Sequence, residues 1–220
     1  MKKFLMAILI MSFVAGEGWL LYGVETNRQE QKAAELYDAI ELDIEWAKNA
    51  LADSEVYNKM LDEAQAKLAE IKKLNLIEGA DKNAEITEKI DKMMARQDLV
   101  EELTALKEFS NKATERVAEV FADANSANAE AMAQVSSVMT ELEQGLPTVQ
   151  NEKVIAISNN LQKSFADTRA AAEAVKNCIK VCYAAKMNEL VANFQANIKN
   201  TSSAIEAANA TIYDDVFGNV

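Results

Sequence analysis

The chain has 220 residues, half of them hydrophobic but only 6% aromatic, with no histidine and a net charge of −12. Without histidine it lacks the commonest general base and metal ligand, which excludes Ser-His-Asp and Cys-His catalysis, HExxH zinc sites and Glu-x-x-His di-iron sites. The acidic balance, with no cluster of Lys and Arg to replace phosphate counterions, sets nucleic acid aside as a partner.

Residues 1–24 form the first predicted element. Lys2 and Lys3 precede an apolar run from Phe4 to Ala15, a positive segment and apolar core of the kind found in secretory signals. Cleavage after Gly16 would leave Val14 and Gly16 at the small-residue positions. Apolar character resumes from Trp19 to Val24. Phe4–Val24, about 21 residues, is therefore also long enough for a retained transmembrane anchor. Glu17 is the costly residue in that reading, at about 2.5–3.5 kcal/mol near a bilayer centre. It is a candidate for a contact with another membrane helix. Both readings keep the lysines inside and expect the remainder outside the cytoplasm, anchored to an inner membrane or released after signal cleavage.

Beyond that segment, backbone punctuation is sparse. Only Gly79, Gly145, Pro147 and Gly218 interrupt residues 25–220. Turns usually need Gly or Pro, so a strand-rich chain of this length is disfavoured. The fold class expected is all-α: an elongated antiparallel bundle or coiled coil of about three long helices, over 25–77, 82–144 and 148–213, with 214–220 a short tail.

The first helix carries Leu36, Ile40, Ile44, Ala47 and Leu51 on one stripe. Tyr57, Leu61, Ala64, Leu68 and Ile71 form a second stripe, out of phase with the first. The shift falls at Asp53-Ser54-Glu55, where Ser54 can cap a new start and a break is expected. Gly79 closes this stretch, and Asp81 is the candidate N-cap of the next. Asp81 to Lys92 has the acidic start of a calcium loop but neither its central Gly nor its final Glu, and reads as a helix start. The second helix repeats Leu106, Ala113, Val117, Val120, Ala124, Ala127, Ala131, Val135, Val138 and Leu142 at three- and four-residue steps. It would be roughly 95 Å long. Gly145 to Thr148 is the second break, with Thr148 the candidate N-cap. Folding there sets Ala118–Ala133 against Asn159–Ala174, both rich in Ala.

In the third helix Cys178 and Cys182 stand four residues apart. They are candidates for a disulfide, within the chain or between protomers, or for two small apolar residues of the packed stripe. Asn200-Thr-Ser202 and Asn209-Ala-Thr211 match the glycosylation sequon. Glu101 with Glu102, and Glu141 with Glu143, are carboxylate pairs with no pocket attached. No catalytic, cofactor-binding or metal residue is expected. The function expected is that of a non-enzymatic structural or interaction protein with protein partners, a homo-oligomer among them, and a membrane contact through the N-terminal segment. A ligand-binding sensor module and a membrane-active, toxin- or lysis-type helical protein are the alternatives.

Overall fold

The computed structural model describes residues 2–51, 53–74, 79–124 and 128–211, with side chains from Thr26 onward, those of 123, 153 and 211 excepted. The described residues are helices joined by turns and short irregular connections, without strands, and form seven helices: α1 (Lys2–Asn49), α2 (Ser54–Lys73), α3 (Ala80–Met94), α4 (Gln97–Ala124), α5 (Ala129–Gly145), α6 (Glu152–Cys178) and α7 (Ala184–Thr211). They belong to two compact units. One holds residues 1–50 and 55–97, and the other holds 51–54 and 98–220.

In the first unit α1, α2 and α3 run alternately up and down. Lys32 and Asp43 of α1 pair with Glu70 and Lys67 of α2. Tyr57 and Lys72 of α2 reach Met93 and Thr87 of α3. The buried stripe of α1 is Ala33, Tyr37, Ile40, Ile44 and Ala47. The whole predicted stripe of α2, Tyr57 to Ile71, is buried as well, with Ile86, Ile90 and Met93 of α3. Each large apolar side chain removed from water here contributes roughly 1.5–3 kcal/mol. Two buried polar groups are matched across helices. The Tyr57 hydroxyl donates to the Met93 carbonyl at 2.8 Å, and the Lys67 ammonium donates to the buried Asp43 carboxylate. Burial raises the Tyr57 phenol above its ordinary value, against a smaller lowering by the Arg96 charge.

The second unit is a bundle of four successive antiparallel helices. Arg116 of α4 pairs with Glu141 of α5, Arg169 of α6 with Glu143 of α5, and Thr168 of α6 with Thr201 of α7. One core runs through all four and includes Leu103, Leu106, Met132, Met139, Phe165 and Ile205. Phe109 packs edge-on against Phe165, with ring centres 6.1 Å apart. Thr168 and Thr201 are both fully buried. Their hydroxyls bond at 2.8 Å, and Thr201 donates on to the Ser164 carbonyl at 3.0 Å, so neither is left without a partner.

The three long helices expected from the sequence are divided. The break at 53–55 is present, and α2 starts at Ser54. The expected helix over 82–144 is α3, α4 and α5. Helix α3 is closed by Ala95 with an ordinary right-handed backbone, φ −61°, ψ −7°. Helix α5 is capped by Asn128, whose side chain accepts the Ala131 amide at 2.8 Å. The expected helix over 148–213 is α6 and α7, separated at 179–183. None of these three divisions uses Gly or Pro, so counting those residues misses them.

Capping differs too. Gly79, not Asp81, is the N-cap of α3, with Asp81 inside the first turn. Helix α6 starts at Glu152, four residues after Thr148. The chain ahead of it is held from α4, where the Glu102 carboxylate accepts the Gln150 amide at 2.9 Å and the Asn151 amide at 3.0 Å. An anion there also complements the positive end of the helix dipole. The longer connection shifts the α5–α6 register. Ser136 meets Glu173, so α6 lies against α5 rather than Asn159–Ala174 against Ala118–Ala133. The tail over 214–220 lies outside the described residues.

Candidate interaction surfaces

Most chemistry-bearing groups singled out in the sequence have structural partners. Glu102 holds two backbone amides. Glu141 shares Arg116 with Glu119. Glu143 accepts both Nε and a terminal nitrogen of Arg169, at 2.8 and 3.2 Å, and this bonding raises the guanidinium further. Residues 81–92 are helical and form no calcium loop. Among the described residues no group of three or more Cys, Asp and Glu is placed to hold a metal ion. Thr201 of the first sequon is buried.

Grooves open to solvent lie on both units. One, between α2 and α3, is lined by Lys72, Thr87 and Asp91. Another, between α6 and α7, is lined by Asn160, Ser164, Asn197 and Asn200. Among the described residues lining them there is no buried carboxylate, amine or thiol that could act as an acid, base or nucleophile.

Cys178 and Cys182 are bonded to each other, with their Cα atoms 5.0 Å apart. They do not sit on a continuous helix. Cys178 is the last residue of α6, Cys182 lies in the turn, and the amides of Val181 and Cys182 fold back onto the Cys178 carbonyl. The bridge thus lies in the connection 179–183 by which α6 passes into the antiparallel α7, not within one helix. Cys178 is buried, while Val181 and Tyr183 are 81% and 73% exposed.

The second apolar surface is on α1. Leu42 and Trp46, one turn apart, are 53% and 59% exposed. At 100° per residue they lie opposite Ala33, Ile40, Ile44 and Ala47, on the face turned away from the core. Glu35, Asp38 and Glu45 share that face, and all three are exposed. The sequence signal for Leu42 and Trp46 was their position off the apolar stripe.

Among the described residues no helix is long and apolar enough to cross a membrane. The single-pass anchor of residues 1–24 and the intramembrane contact of Glu17 fall on side chains outside the described ones. Compared with known proteins, the chain matches no family model, no curated protein and no solved structure.

Proposed function

We propose that this chain is a non-enzymatic extracytoplasmic interaction protein, a helical scaffold or adaptor working through protein–protein contacts. Residues 1–24 tether it to a membrane or direct its export and are then removed. One observation carries the reading: among the described residues, Leu42, Trp46, Val181 and Tyr183 are the large hydrophobic side chains left in water, and they fall in two pairs. Single exposed apolar residues are ordinary, and their grouping in two pairs, each with a polar rim, is what supports the contact reading. The bonded cysteines support an oxidising compartment. Of the carboxylates paired in the sequence, Glu102, Glu141 and Glu143 are engaged in holding helices together.

Photo-crosslinking in intact cells tests this. A benzophenone amino acid at position 46 or 183 is expected to form discrete protein adducts, while the same group at exposed Glu63 does not. Absence of adducts from both positions overturns the reading. N-terminal sequencing of the mature protein from fractionated cells decides between tether and removed signal.

A further inference from the structure

We infer that copies of this chain associate head to tail, with the α6–α7 turn of one copy seated on the outward face of α1 of the next. The inference rests on the reading of the chain as an interaction protein and names its partner as a second copy.

The two exposed apolar pairs differ in charge. Residues 33–47, around Leu42 and Trp46, contain five acidic residues and no basic one. Asp43 is engaged by Lys67, and Glu35, Asp38 and Glu45 rim the exposed pair. Residues 174–188, around Val181 and Tyr183, contain three lysines and no acidic residue. Lys186 is paired with Glu189, while Lys176 and Lys180 are exposed beside the turn. Glu130, at the start of α5 on the same end of the bundle, is also exposed, so charge alone cannot supply the affinity. The four apolar side chains must supply it, and the charges set orientation.

Like faces do not meet favourably. Two α1 faces would oppose carboxylates, and two turns would oppose lysines. Unlike faces match in both charge and hydrophobicity, and each copy presents one of each. Such a contact is heterologous, so it continues into a ring or a filament.

The test uses the full chain in mild detergent, with a benzophenone amino acid in place of Trp46. Irradiation is expected to give a ladder of multimers whose adduct peptide contains residues 174–188. Lys176→Glu with Lys180→Glu, and separately Glu35→Lys with Asp38→Lys, are each expected to weaken self-association about 10-fold or more. Mixing the two variants restores the crosslinked ladder, because the exchanged faces match each other and the unexchanged faces still match. All four positions are exposed, and unchanged circular dichroism confirms that both variants fold. A monomer at all concentrations, an adduct to 174–188 within a single chain, an adduct elsewhere in the partner copy, or a ladder indifferent to charge each overturns the inference. An adduct from position 46 to a different protein in cells also overturns it, while leaving the interaction reading standing.

Discussion

The buried hydroxyls show how differently one chemical group can act in two cores. Tyr57 is almost fully buried and donates to the Met93 carbonyl. Tyr57→Phe keeps the ring but removes one of that carbonyl's two donors, leaving the Arg96 amide at 3.0 Å, and is expected to cost about 1 kcal/mol in urea unfolding. The phenol also makes stability depend on alkaline pH. Its folded pKa is raised above the ordinary 10.0 by burial, so the native state holds the proton more tightly than the unfolded chain. That contribution is fully present below the unfolded value and is lost as pH rises through the folded one. Tyr37, raised for the same reason, adds to the decline. Melting temperature should fall above about pH 10, less steeply in Tyr57→Phe than in the parent. Ser110 presents the reverse case. Its Oγ is buried in the second unit without a hydrogen-bond partner, so removing it relieves a desolvated group. Ser110→Ala is expected to leave stability equal or raise it by up to about 1 kcal/mol. A clear destabilisation on chemical unfolding would contradict that assignment.

At the scale of elements, legibility in the sequence depended on whether a signal was periodic or local. The stripe from Tyr57 to Ile71 is buried throughout, because apolar spacing at three and four residues has one helical solution. The stripe over 106–142 is largely buried as well, yet it belongs to two helices. Periodicity carried across the α4–α5 turn because Ala124 and Ala131 keep the phase on either side. The turn itself was written in Asn128, an N-cap residue followed by Glu130 in the first turn. Asn128→Ala is expected to cost about 1 kcal/mol, measured by thermal unfolding, whereas Thr148→Ala, at a position outside any cap, should cost little. The α6–α7 turn was hidden for a related reason. Cys178 and Cys182 at a spacing of four fit one face of a helix, so the spacing did not reveal that the chain turns between them. The exposed pairs were the least legible. Stripe counting finds what is buried, and Leu42, Trp46, Val181 and Tyr183 matter because they are not.

For the whole molecule, composition carried the helical class, but the division into two compact units has no compositional trace. No Gly, Pro or low-complexity linker marks residue 97, where one unit ends. Two separate cores argue against strict two-state melting, and calorimetry is expected to require two transitions. The disulfide lies wholly within the second unit. Replacing Cys178 and Cys182 by Ser, or reducing the bridge, should lower one transition only, by about 2 kcal/mol on loop-closure grounds. A single transition that moves as a whole on reduction would show that the cores unfold together.

The outward position of Trp46 has a practical consequence for anyone following this protein by light. An indole already mostly in water changes its emission little when the chain unfolds. With Trp19 replaced by Phe, Trp46 is the remaining tryptophan, and its fluorescence should be nearly blind to denaturation. A shift to shorter wavelength in native buffer would then report that something has come to rest on α1.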